Sequence, residues 1–260
     1  MNIKPNCYDY PRYYELAFAF RDLAHEVDVI QQTIQQFARV DTHTVLTLAC
    51  GPSPHLLELS ARGLQFVGLD INPAMLAYSK AKAQQAGIAA KFYQQSMTAF
   101  QLEQPVDYIL IALGDLYVQS NEELDSHLSS VAAALRPGGL FLLDWCIQFE
   151  PANMFKSEAE MWEVKQGDLH LKCQVRMQPF DHPNQLFEEQ LAIEVQEGEQ
   201  CLSLASHSIK RAIYPQEFLQ LIKMMQQFEF IGWWNNWTLD EPLTRQTQTI
   251  FRPITLLRKR

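Results

Sequence analysis

The feature that most constrains this chain is a short apolar run that ends in a loop of small residues. A second run, about twenty residues later, ends in an acid. Thr44-Val45-Leu46-Thr47-Leu48-Ala49 has the pattern of a buried strand and leads straight into Cys50-Gly51-Pro52-Ser53-Pro54. Leu64-Gln65-Phe66-Val67-Gly68-Leu69-Asp70 is the second strand, and Pro73 follows it. Proline is well placed at a first helical position, where its missing N–H removes nothing. Further strands are expected at Ala90–Tyr93, Val106–Ile111 and Leu140–Trp145, and a helix striped by Leu124, Leu128, Val131 and Leu135 is expected to stop at Pro137-Gly138-Gly139. Ahead of them, Leu16, Phe20, Leu23, Val27, Ile30, Ile34 and Phe37 recur in steps of four and three. That spacing predicts one amphipathic helix over 15–39. Strands alternating with helices argue for an α/β fold with a parallel, doubly wound sheet.

Around residue 151 the pattern changes. Leu169, Leu171, Cys173, Val175 and Met177 alternate with polar neighbours, as in a strand buried on one face. Asp181-His182-Pro183-Asn184 and Glu197-Gly198-Glu199 read as turns. An antiparallel β meander is therefore expected within 158–210. Helical spacing returns at Pro215–Gln227, followed by strands at Phe228–Trp234 and Thr249–Leu257. Pro253, inside the last one, predicts a bulge or an edge. Three segments follow: 1–150 as an N-terminal helix and α/β core, 151–210 as the insert, and 211–260 as the closing helix and strands.

Composition narrows the function classes. With 260 residues, 47% of them hydrophobic and 20% charged, the chain is that of an ordinary globular protein. No apolar run approaches the roughly 20 residues of a membrane span, so no membrane is expected as a partner. The five cysteines show no paired spacing and the N-terminus no apolar signal core, which predicts a cytoplasmic protein. The balance of 21 basic and 30 acidic side chains gives −9, and 156–207 holds four basic against ten acidic ones. Nucleic acid needs clustered Lys and Arg. Only Arg258-Lys259-Arg260 is such a cluster, and it reads as a solvated tail, so no nucleic-acid partner is expected.

In an open parallel sheet, ligands bind beyond the C-terminal strand ends, at the switch point. There the loop at Gly51 lets backbone approach a ligand, and Asp70 can accept from both hydroxyls of a ribose. The alternative for Asp70 is to cap the helix after it. A dinucleotide fingerprint fails, because Ala49, Gly51 and Pro54 stand where its glycines belong and Pro52 and Pro54 remove N–H donors. Ser53 is no nucleophile elbow, since His55 stands where that turn needs glycine. Cys50 reads as a small buried thiol. His170 and Cys173 point to opposite faces of a strand, and no other set has ligand spacing, so no metal is expected.

Val45–His55 with Phe66–Leu76 resembles motifs I and II of class I S-adenosylmethionine-dependent methyltransferases. Leu135-Arg136-Pro137-Gly138-Gly139-Leu140-Phe141 resembles the turn before that family's fifth strand. The opening Tyr8–Phe18 is similar to a bacterial small-molecule branch, in which a tyrosine-rich lead-in precedes a lid helix. The resemblance implies a seven-stranded Rossmann-like sheet with S-adenosylmethionine as cofactor, and places the 151–210 insert over the acceptor site. It places Gly51 under the methionine part, Asp70 on the ribose, Ile71 and Met75 at the adenine, Ser96 and Met97 at its edge, and Leu113 closing the pocket, with Ala49 also among the cofactor-binding residues. Tyr14 and Arg21, on the lid helix, become candidates for the methionine carboxylate, a task suited to the arginine fork. The family usually has an acid where Thr47 stands, glycines at Ala49 and Ser53, and an acid at Ser96.

Methyl transfer to N or O of a small molecule, in small-molecule metabolism and leaving S-adenosylhomocysteine, is the expected activity. Asp115 and Tyr117, after the fourth strand, together with Tyr14 are the candidate catalytic residues, Asp115 as general base. Two alternatives stand beside this one. A cyclase or lyase would act on the aminocarboxypropyl chain and release methylthioadenosine. A non-catalytic protein would only bind the cofactor.

Overall fold

The computed structural model describes residues 4–150 and 159–260. The boundary expected at 150/151, the first residue of the expected meander and the terminal Met1-Asn2-Ile3 lie outside the described residues.

Strands β1 (Thr44–Leu48), β2 (Gln65–Asp70), β3 (Lys91–Gln94), β4 (Val106–Ile111) and β5 (Leu135–Asp144) run parallel. With β10 (Phe228–Trp234) and β11 (Ile254–Lys259) they form a seven-stranded sheet of order β10-β11-β5-β4-β1-β2-β3, in which β11 alone is reversed. β4 is buried at every position because both of its faces are covered. Its odd residues Ile109 and Ile111 join Leu46, Leu48, Phe141 and Leu143 against α5 (Asn121–Ala134) and α6 (Pro215–Met225). Its even residues Tyr108 and Leu110 join Val45, Leu140 and Leu142 against α2 (Leu23–Phe37) and α3 (Leu56–Ala61). Each large side chain buried this fully contributes about 1.5–3 kcal/mol. Beside the first loop, Gly68 admits no side chain: an added Cβ would stand 2.8 Å from the Phe92 ring and 2.9 Å from Cys50 Sγ.

The insert is a separate four-stranded antiparallel sheet of β6 (Glu160–Gln166), β7 (Leu169–Asp181), β8 (Leu186–Glu197) and β9 (Gln200–Arg211), in that order. Its inner face, with Leu171, Cys173, Ile193 and Leu204, packs on α1 (Pro11–Ala17) and the tyrosines around it. Trp162 Nε1 donates to the Ala17 carbonyl at 2.7 Å, and Ala205 N to the Pro5 carbonyl at 3.0 Å. The N-terminal segment is thereby held against the insert.

Four expectations are corrected. Arg258-Lys259-Arg260 is no solvated tail: β11 runs through Lys259, and the buried Arg258 donates to Glu229 and to the Phe37 carbonyl. The helix over 15–39 is two helices, because Asp22 accepts from His25 N at 3.0 Å and starts α2 afresh. Helix α5 ends at Ala134, ahead of Pro137-Gly138-Gly139. Pro253 precedes β11 rather than sitting within it. Its carbonyl accepts from Trp145 N at 2.8 Å, and the bulge lies in the partner strand, between Phe230 and Gly232.

Candidate active site

The sheet order reverses between β4 and β1, and the loops that leave these strands flank a crevice. After β1, the chain turns through Ala49 (φ 46°), Gly51 (φ 51°) and Ser53 (φ 52°), three left-handed residues in five. Only glycine adopts that conformation without strain. The loop thus keeps a glycine-type path although two of the three residues carry a Cβ. Asp70 fixes it: Gly51 N donates to Oδ2 at 2.7 Å and Asn72 N to Oδ1 at 2.8 Å. Asn72, not Asp70, caps α4 (Pro73–Gln85), accepting from Ala74 N and Met75 N. Burial raises the Asp70 pKa, and the N–H groups of Asn72 and Gly51 oppose the rise. Its carboxylate lines the crevice.

The crevice holds a cavity of about 400 Å³, within the usual range for small-molecule sites. Gly51, Asp70, Ile71, Met75, Ser96 and Met97 line one side. Tyr8, Tyr14, Asp115 and Tyr117 line the other, with Ser208 from the insert. Behind Ala49 and Gly51 a smaller recess, lined also by Thr47, His55 and Leu113, reaches Arg21. There the buried Thr47 Oγ1 and His55 Nδ1 have no hydrogen-bond partner among the described residues.

On the second side the polar groups form a chain. Tyr117 OH donates to Asp115 Oδ1 at 3.0 Å, and Tyr8 OH lies 3.1 Å from Tyr117 OH. Lys210, only 3% exposed, sets its ammonium 3.0 Å from Glu189, 3.6 Å from Asp115 and 4.5 Å from the centre of the Tyr117 ring. Burial pushes Asp115 up to about 6 against the pull of Lys210. Burial also works against the Lys210 charge, but Glu189 and Asp115 outweigh it and hold the lysine above its ordinary value. Burial raises Tyr8 and Tyr117 as well, so both stay neutral phenols.

A second polar network backs the recess. Glu26 accepts from Arg21, from Arg252 at 2.7 Å, and from His55 Nε2 at 2.8 Å. Arg252 continues to Asp144, which also accepts from Leu113 N and Trp237 Nε1, both at 2.8 Å. Burial alone would raise Glu26, but His55 and Arg21 reverse it and hold the carboxyl well below the usual range. Cys50 is inert: burial pushes its thiol up to about 12.

The structure brings together in one cavity nearly all the residues singled out from sequence; Leu113 and Arg21 line the recess. The placement of Arg21 is corrected. It stands in the connection between α1 and α2 rather than on the lid helix, and its Nε edge is paired bidentately with Glu26. Sequence reading missed Lys210, Glu189 and the Glu26 network. A signal for the first two existed: Lys210 has the strand parity of the inward Leu202 and Leu204, and Glu189 that of Leu191 and Ile193. Among the described residues, no group of three or more His, Cys, Asp or Glu is placed to hold a metal ion. No helix among them is long and apolar enough to cross a membrane.

Strand order, switch point and the loop–acid pair define the Rossmann-like class that binds nucleoside ligands at this edge. A methyltransferase domain family matches residues 45–139. A Geobacillus sp. (strain WCH70) protein assigned provisionally as a methyltransferase is 28% identical over 128 residues, 49% of this chain and 52% of its own length. The chain thus matches about half the length of that curated relative. An S-adenosylmethionine-dependent methyltransferase from Clostridium acetobutylicum superposes with a TM-score of 0.78 at 17% identity, over 98% of this chain and 99% of its own. CalS10 of Micromonospora echinaspora, an amino pentose methyltransferase solved with S-adenosylmethionine, superposes at 0.73 with 16% identity over 96% of each chain. At these identities the likeness shows the fold. Over residues 45–139 the chain is similar to a methyltransferase domain, and its fold is that of class I S-adenosylmethionine-dependent methyltransferases.

Proposed function

We propose that this chain binds S-adenosylmethionine at the switch point and directs its sulfonium methyl group to N or O of a small molecule. One observation carries the reading. A single cavity joins the Gly51–Asp70 pair on one side to the Asp115–Tyr117–Tyr8 chain on the other. The residues fit the cofactor. Asp70 lines the cavity and each of its oxygens accepts a single N–H, which leaves each capacity for a ribose hydroxyl, and a Cβ on Gly51 would meet nothing within 4 Å, so backbone there is open to close approach. Met75 and Ile71 offer apolar contact for an adenine, with Ser96 and Met97 at its edge. The unpartnered Thr47 and His55 atoms offer polar contacts for the amino-acid end, beside Tyr14 and Arg21.

The bound cofactor supplies the activated methyl group. The chain's part is to orient the acceptor, exclude water and take up a proton. Tyr8 and Tyr14, on the segment trapped under the insert, close the cavity from the side opposite the sheet. Asp115 has a carboxyl near neutrality and accepts the proton through Tyr117. The fold's likeness to an amino pentose methyltransferase supports a small-molecule acceptor, and the acidic insert argues against nucleic acid. We place the activity in the cytoplasm, in keeping with five unpaired cysteines, four of them buried.

No observation favours the cyclase reading, since Ala49 and Ser53 keep the left-handed backbone of the glycines they replace. Incubation with S-adenosylmethionine and a panel of small amines and alcohols, followed by mass spectrometry, tests the proposal. The expected product is S-adenosylhomocysteine in step with a methylated acceptor. Methylthioadenosine formed without acceptor overturns it.

A further inference from the structure

Resting on that reading, we propose that the acceptor is a small amine, bound as its ammonium ion between the tyrosine faces and relieved of its proton along Tyr8, Tyr117 and Asp115. Lys210 of the insert holds the end of that relay.

The lining selects charge first. Beyond the Asp70 assigned to the ribose, Asp115 and Glu123 line the cavity, and among the described residues no Lys, Arg or His lines it. The Lys210 ammonium stands behind Tyr117, matched against two carboxylates, Glu189 and Asp115. A carboxylate- or phosphate-bearing acceptor would meet repulsion here, whereas a cation meets carboxylates and the rings of Tyr8, Tyr14 and Tyr117. Tyr8 and Tyr14 stand 5.5 Å apart between ring centres, two walls of that enclosure.

The direction of the hydrogen bonds decides next. Tyr117 donates to Asp115, so its oxygen accepts from Tyr8, and the Tyr8 oxygen, in a residue that lines the cavity beside Ser208, keeps acceptor capacity. It suits a ligand that donates N–H. As the ammonium proton passes to Tyr8, the Tyr8 proton passes to Tyr117 and the Tyr117 proton to Asp115. The nitrogen lone pair so freed takes the methyl carbon while the carbon–sulfur pair returns to sulfur, and the product leaves as a methylated ammonium ion. Magnitudes agree. An alkylammonium near pKa 10.4 stands about four units above a carboxyl at about 6, whereas a water-like hydroxyl near 15.7 stands about ten above it. The groups that face Asp115 are Lys210 of β9, Glu189 of β8, Tyr117, Tyr8, Tyr14 of α1, Asp70 of β2 and Cys146 after β5.

Sinefungin carries an amine-bearing carbon where the cofactor has its methylsulfonium, so it presents an ammonium to this side of the cavity. S-Adenosylhomocysteine presents none. Calorimetric titration of both ligands into the full chain should show sinefungin preferred at least tenfold at pH 8, falling toward parity at pH 5 as Asp115 takes a proton. Asp115→Asn should bring the two ligands to parity at pH 8, with circular dichroism reporting an intact fold. Lys210→Met should move the midpoint of the preference to higher pH, and Lys210→Arg should leave it in place. Binding of S-adenosylhomocysteine with no preference for sinefungin, or a preference that survives Asp115→Asn, overturns this inference alone. Binding of neither ligand overturns the methyltransferase reading and the inference together.

Discussion

Two carboxylates on opposite sides of the crevice, the buried Glu26 and the half-buried Asp115, differ in what surrounds them. Glu26, behind the recess, faces two guanidiniums and an imidazole, and its carboxyl is held well below the usual range. Asp115, on the side of Tyr8 and Tyr117, shares a single ammonium with a second carboxylate and is pushed up to about 6. The first is compensated and static. The second is under-compensated, which keeps its proton exchangeable near neutral pH. Desolvation raises both, so the partner count decides which way each carboxyl finally moves.

The largest effect should come from breaking the compensated side. Glu26→Gln leaves Arg21 and Arg252 buried with less negative charge, and losing one partner of a buried ion network costs about 3–5 kcal/mol. Urea unfolding should show that loss at pH 7. Because the folded Glu26 pKa lies below its unfolded value, the stability it confers is present above the unfolded pKa and is lost as pH falls through the folded one. Wild type and variant should therefore converge in acid. A variant as stable as wild type at pH 7 would show that the network is not needed to hold the recess.

The Asp115 side should respond with the opposite sign. The folded Asp115 pKa of about 6 lies above the unfolded one, so the folded chain binds the extra proton and stability falls as pH rises from about 4 to about 6. A two-unit difference is about 3 kcal/mol at most. The slope should be absent in Asp115→Asn, which should be the more stable protein at pH 7 relative to wild type and lose that advantage near pH 4. Parallel stability curves for the two proteins would mean that Asp115 is as well compensated as Glu26.

The same division marks what could be read from sequence. The Gly51 loop, Asp70 and Met75 lie on two consecutive βα units, β1–α3 and β2–α4, where local pattern fixes position, and they line one cavity. The Asp115 side draws on an N-terminal turn at Tyr8, the loop after β4 and two strands of the insert, more than 70 residues from that loop. Only strand parity pointed Lys210 and Glu189 inward, and nothing in the sequence set the register that brings them to Asp115. The break between α1 and α2 was hidden because the apolar stripe runs through it, while the Asp22 cap that makes it is a single local hydrogen bond. That break turns Arg21 out of the helix and onto Glu26.

The central claim is that the Gly51–Asp70 pair is a ribose and cofactor site. Titration calorimetry of S-adenosylhomocysteine into wild type and Asp70→Ala tests it directly. Loss of charge-assisted hydrogen bonds to the ribose should weaken binding roughly ten- to hundredfold, about 1.5–3 kcal/mol, while circular dichroism reports an unchanged fold. Equal affinity of the two folded proteins would contradict the account.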